Sequence, residues 1–213
     1  MGEKGRMMSA RRVAEETIQK ARDFHGHMCP GLAMGIRAAE MALREMGGRS
    51  EDEETVAVVE TDMCGVDAIQ ALTGCTFGKG NLIHKDYGKL AFSFYRRSDG
   101  KGIRVVAQPS AMALSDADLQ QEREALMGKR RGGDMTPREK DRFAELQGAL
   151  IEKLLSTPLE SLFDLKAPPA EIPQAARIHG SIACEGCGEN VMQTRIREIG
   201  GKMFCVPCSE KSS

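Results

Sequence analysis

With 213 residues, 41% hydrophobic and 29% charged side chains, the chain has the make-up of a soluble globular protein, with room for one ordinary domain and a small appendage. A formal charge of −1, no Trp and only two Tyr argue against nucleic acid as a partner, since neither bulk attraction nor base stacking has material to work with. No apolar run approaches the ~18 residues of a membrane span.

Met1 to Lys20 lacks the apolar core of a secretion signal, and seven cysteines, four of them in zinc spacing, suit a reducing compartment. The expected location is the cytoplasm, without a membrane. In chain order, Ser9 can cap a first helix reaching about Asp23, with Val13, Ile18, Ala21 and Phe24 near one face. A second helix starts at Pro30 or Gly31. Leu32, Ile36, Ala39, Leu43 and Met46 form its core stripe, and Gly47-Gly48 ends it.

The β-branched run from Thr55 to Glu60 predicts a central strand. A short helix from Gly65 to Thr73 follows, stopped by Gly74. Leu82 to Lys85, Leu90 to Arg96 and Ile103 to Gln108 read as further strands, the last two joined through Ser98-Asp99-Gly100. Helix, helix, strand, helix and three strands make an α+β domain within residues 1–109.

Residues 110–173 read as a helical connector. Ser115-Asp-Ala-Asp118 resembles one helix start. Thr136-Pro137-Arg138-Glu139 is a clearer one, with a cap, a first-turn proline and a glutamate three residues on. Phe143, Leu146, Leu150, Ile151, Leu154 and Leu155 line one face. Such a stripe packs on its own domain or on a sister subunit. Leu165 to Ile172, with Pro168, Pro169 and Pro173, reads as an extended linker.

Residues 174–213 carry Cys184-x-x-Cys187 and Cys205-x-x-Cys208, separated by the 17 residues from Gly188 to Phe204. Two thiolate pairs so spaced converge on one tetrahedral Zn²⁺, which staples a segment too small for its own core. A redox dithiol needs one such pair rather than two. A closed four-cysteine site is saturated, so its zinc is structural.

Chemistry is expected in Phe24-His25-Gly26-His27-Met28-Cys29-Pro30-Gly31. Pro30 belongs in the first turn of the second helix, which makes Cys29 its cap, where unpaired N–H groups and the helix dipole favour thiolate. Cys64 precedes another helix and Cys75 follows its end, while Glu60, Asp62 and Asp67 bring carboxylates close to Cys64. Singly, each such cysteine is more often a small buried hydrophobe. Together, imidazole and thiolate suit a second transition metal, Zn, Ni or Fe, with a coordination position left for substrate.

The expected metal donors are His25, His27 and Cys64, and the expected reactive residues are Cys29, Cys64, Cys75, Asp67 and Lys79. The loop Gly74 to Asn81 lacks the spacing of a phosphate loop. Its glycines read instead as permissive backbone beside Cys75, with Lys79 able to pair with an anionic group.

The run from Phe24 to Gly31, the block from Val59 to Asn81 and the terminal cysteines together resemble the E-subunit family of formylmethanofuran dehydrogenase over essentially the whole chain. The resemblance implies a mixed-sheet α+β domain, a treble-clef zinc finger, a homodimer and a metal near the His/Cys motif. It carries that site onto His25, His27, Cys29 and Cys64, with Cys75 as a further candidate. Dehydrogenases of that name reduce CO₂ with a molybdenum or tungsten pterin and iron–sulfur clusters. Three cysteines outside the finger are too few for a four-cysteine cluster.

Two readings follow: a metalloprotein active in one-carbon or redox metabolism, or an accessory subunit of a molybdenum or tungsten oxidoreductase whose finger recognises its partner. Arg195, Arg197 and Lys202 would give that finger a basic edge. A thiol–disulfide reductase built on Cys29, Cys64 and Cys75 is a weaker third.

Overall fold

Helix α2 (Pro30–Met46) is buried on most sides, as expected of a helix whose residues are mostly small or apolar, with Arg44 left exposed. A computed structural model describes residues 13–175 and 177–211, and the chain divides into two compact units after Ala175. In the first unit, α1 (Glu15–His25), α3 (Gly65–Thr73) and α5 (Pro137–Ser156) pack around α2. The sheet lies against it, built from β1 (Thr55–Val59), β2 (Leu82–His84), β3 (Ala91–Arg96), β4 (Gly102–Ala107) and β5 (Phe163–Lys166). The strand order is β2-β1-β3-β4-β5. Strands β1 and β2 run parallel, and every other pair is antiparallel.

The α+β mixed-sheet expectation holds, and the helices and strands follow the predicted order. The cap expected at Ser9 lies outside the described residues. Phe24 departs from the expected core face of α1 and is 55% exposed, whereas Ile18 and Ala21 are buried.

Residues 110–173 do more than connect. Helices α4 (Ala117–Gly132), α5 and α6 (Leu159–Leu162) lead into β5, which pairs with β4 from Ala107↔Phe163 to Arg104↔Lys166. The leucine stripe of α5 packs on its own domain, with Leu150 and Leu154 fully buried. Thr136 and Glu139 form the expected capping box.

The second face of the sheet is the larger surprise. Phe92 and Phe94 face α2, so alternation would leave Ser93 and Tyr95 wet; both are buried. The chain beyond β5 explains this. Pro168 sits over Gly102 beside the Tyr95 ring, and Arg97 donates 2.6 Å to the Pro173 carbonyl. On the same face Arg104 grips Glu60 through two bonds of 2.7 and 2.8 Å. The stretch expected to be a linker thus covers sheet.

In the second unit, β6 (Ser181–Ala183) pairs with β7 (Asn190–Met192), and β8 (Arg197–Ile199) pairs with β9 (Lys202–Phe204). Helix α7 (Val206–Lys211) closes it. No helix among the described residues is long and apolar enough to cross a membrane.

Candidate functional site

The four finger cysteines meet as their spacing requires. Cys184 and Cys187 occupy the turn between β6 and β7, Cys205 precedes α7, and Cys208 lies within α7. All four sulfurs fall within 4.8 Å of one another, and Sγ of Cys187 is 4.0 Å from Sγ of Cys205. Tetrahedral zinc with its usual bonds to sulfur sets such neighbours about 3.8 Å apart. The N–H groups of Gly186 and Cys205 donate to Cys184 at 3.4 and 3.2 Å. Led by the Cys205 N–H, these bonds lower the Cys184 thiol to about 6, whereas hydrogen bonding with Cys205 and then burial push Cys208 up to about 12. Four thiols so crowded cannot all ionise unless a cation sits among them.

The second cluster begins at the end of α1. Gly26 takes a left-handed φ of 94°, which an L side chain rarely tolerates, and its N–H closes the helix on the Arg22 carbonyl. The chain reverses there, so the rings of His25 and His27 stack with centroids 4.6 Å apart. Cys29 caps α2 as predicted, and its Sγ accepts the Leu32 N–H at 3.3 Å. Nε2 of His25 lies 3.9 Å from that sulfur. One donor atom from each of His25, His27 and Cys29 falls within 4.8 Å of the others.

Two residues on α3 complete the constellation. Oδ2 of Asp67 is 2.7 Å from Nδ1 of His25. A carboxylate accepts, so Nδ1 carries the proton and Nε2 keeps a free lone pair facing Cys29. Cys64 leads into α3, and burial followed by the neighbouring Cys29 thiol raises its own thiol above the ordinary range. It does not cap its own helix through its side chain.

What brings α3 so close is the pairing of Gly35 with Gly65. A Cβ on Gly35 would stand 2.3 Å from the Gly65 carbonyl oxygen, so the two backbones touch. Gly31 lets Cys64 approach closely: a Cβ there would press on the Cβ of Cys64 at 3.3 Å and lie 3.8 and 3.9 Å from the sulfurs of Cys64 and Cys29.

The structure thus gathers His25, His27, Cys29, Cys64 and Asp67, and leaves out two residues expected to join them. Cys75 follows the far end of α3, a helix about 13 Å long at nine residues. It is fully buried, its thiol donates to the Thr55 carbonyl at 3.4 Å, and desolvation raises its pKa. The Lys79 ammonium binds the carbonyls of Glu51 and Asp52 at 3.0 and 3.1 Å, tying down the loop before β1. Both serve local structure, because helix spacing places them a helix length away from Cys64. Glu60 is spent on Arg104. Sequence reasoning missed Gly31, Gly35 and Gly65, although the i, i+4 glycine pair on α2 was an available signal.

The N,N,S donor set fits a transition metal. A tetrahedral ion with ordinary bond lengths holds nitrogen and sulfur donors about 3.6 Å apart, close to the 3.9 Å seen between His25 and Cys29. The His25–Asp67 pair is the outer arrangement that metal-binding histidines use.

Comparison with known proteins bears on the finger and on the family. Residues 177–213 match the prokaryotic dksA/traR C4-type zinc finger, which makes the chain a metal-binding protein with a four-cysteine structural zinc site. A probable S-adenosyl-L-methionine-binding protein of Archaeoglobus fulgidus is 32% identical over 199 residues, covering 90% of this chain and 52% of that protein. The chain therefore spans about half the length of that relative. The fold is shared with a tungsten formylmethanofuran dehydrogenase FmdE-like protein of Syntrophus aciditrophicus, at a TM-score of 0.61 and 23% identity over 97% of this chain and 98% of that one. Residues 24–164 match the family described as FmdE, molybdenum formylmethanofuran dehydrogenase operon, and the chain belongs to that family.

Proposed function

We propose that the first unit is a second metal centre, with His25, His27 and Cys29 as donors, Asp67 orienting His25, and Cys64 beside them as a free thiol. The carrying observation is the convergence of three donor atoms within 4.8 Å, with the His25 tautomer set by Asp67. Three protein donors leave a position open, the mark of sites that act on or transfer a ligand. The sequence favours Cys64 as the third donor; the geometry favours Cys29. When bound, the ion supplies Lewis-acid or redox chemistry to a small molecule. The protein's own residues orient imidazole, hold sulfur at a helix N-terminus and keep a thiol in reserve.

The finger's cysteine-bearing turn, hairpin and terminal helix support a treble clef that steadies the second unit or recognises a partner. Phe24 and Met63, each more than half exposed and next in sequence to His25 and Cys64, are apolar material that a second copy or an oxidoreductase partner would cover. The name of the Archaeoglobus relative makes S-adenosyl-L-methionine a ligand to screen.

Elemental analysis of the purified full chain tests the reading. About two metals per chain are expected, falling to about one in a His25→Ala/Cys29→Ala protein that keeps its finger zinc. One metal in the unmodified chain would refute it. Co-purification with a molybdenum or tungsten enzyme, without a second metal, would favour the accessory reading instead.

A further inference from the structure

Cys64 has no role in the donor set, yet the fold goes to some length to hold it against Cys29. The Gly35–Gly65 backbone contact delivers it there, and the bare backbone of Gly31, where a Cβ would press on the Cys64 Cβ at 3.3 Å, permits the approach. Both sulfurs lie within 4 Å of the point a Gly31 Cβ would occupy, at 3.9 Å for Cys29 and 3.8 Å for Cys64. Each cysteine also stands at a helix N-terminus, Cys29 before α2 and Cys64 before α3. Both are partly accessible, unlike the sealed Cys75.

We infer that Cys29 and Cys64 form a reversible disulfide that takes Cys29 away from the metal, so that only the dithiol form of the protein holds the ion. This rests on the metal-centre reading above. A hydroperoxide is the oxidant. Counted from the free thiols, the two cysteines give up two protons and two electrons, a sulfur–sulfur bond forms, and the oxygen–oxygen bond of hydrogen peroxide breaks to leave two waters. Sulfur in a disulfide has no thiolate charge to offer, so the donor set shrinks to His25 and His27 and the ion departs. A dithiol reductant reverses the bond by exchange and restores the site.

The test uses the full chain with metal in both sites, one equivalent of hydrogen peroxide, a chromogenic zinc chelator to count released ions, and unreduced peptide mapping. The expected result is a Cys29–Cys64 cross-linked peptide and loss of about one metal of about two, with recovery after dithiothreitol and readdition of zinc. A Cys64→Ser protein should start with the same metal content and keep it at that dose. If it loses the ion all the same, oxidation of Cys29 alone suffices and the switch is refuted. Disulfide formed with the metal retained, or metal lost with Cys29 found as a sulfinic acid, would also overturn it. A chain that begins with only about one metal refutes the metal centre itself, before any oxidant is added.

Discussion

Nδ1 of His25 lies 2.7 Å from Oδ2 of Asp67, 42 positions away, and through this bond α3 sets the tautomer of a residue on α1. Replacing Asp67 with Ala frees the ring to rotate and to protonate at either nitrogen. Affinity for the proposed N-terminal metal should fall about 10–100-fold, the usual loss when such an outer partner is removed. Calorimetric titration of metal into protein with an occupied finger would show it; unchanged affinity would mean that Asp67 does not orient the ligand.

Gly35 cannot accept a methyl group, because its Cβ would fall 2.3 Å from the Gly65 carbonyl oxygen, and backbone there cannot step aside cheaply. Gly35→Ala should cost about 1–3 kcal/mol and weaken the proposed N-terminal metal site along with the α2–α3 contact. Gly148 on α5 is the control. Nothing lies within 4 Å of a Cβ there, so Gly148→Ala should stabilise by about 0.5–1 kcal/mol. Urea unfolding of the two proteins should move in opposite directions.

The Glu60–Arg104 pair is held by two bonds, with side-chain exposures of 5% and 16%. Removing one charge strands the other, so Glu60→Gln should lose about 3 kcal/mol. The double change Glu60→Leu/Arg104→Met should recover most of that, since an apolar pair of similar volume needs no desolvation. Thermal denaturation of both variants would decide it, and equal losses would contradict a paired-charge role.

The finger should lose zinc as the pH falls. The Cys184 thiol is lowered from 9.0 to about 6, so the contribution of its thiolate is present above the ordinary value and disappears as pH drops through about 6. Zinc reinforces the same direction, because protons compete for every sulfur. A chromogenic chelator added to zinc-loaded protein should take the finger zinc more readily as the pH is lowered through about 6; release independent of pH over that range would contradict this.

Much of this protein is written in short-range sequence. Cys29 caps α2 because Pro30 belongs in a helix's first turn, and each finger pair, Cys184/Cys187 and Cys205/Cys208, is held together by its two-residue spacing. The strands β1 to β4 follow from β-branched and alternating runs. These features depend on residues within a turn or two of one another, where local propensity and spacing decide the outcome. Tertiary packing decided the rest. It put Cys64 beside Cys29 and Asp67 beside His25, through a backbone contact at Gly35 and Gly65 whose partner element the spaced glycines of α2 do not name. It sent Cys75 and Lys79 to the far end of α3, added β5 to the sheet, and drew residues 168–173 over Ser93 and Tyr95. Side chains distant in sequence meet only when whole elements dock. The atoms that set that docking here are glycines, whose signal is the absence of a side chain.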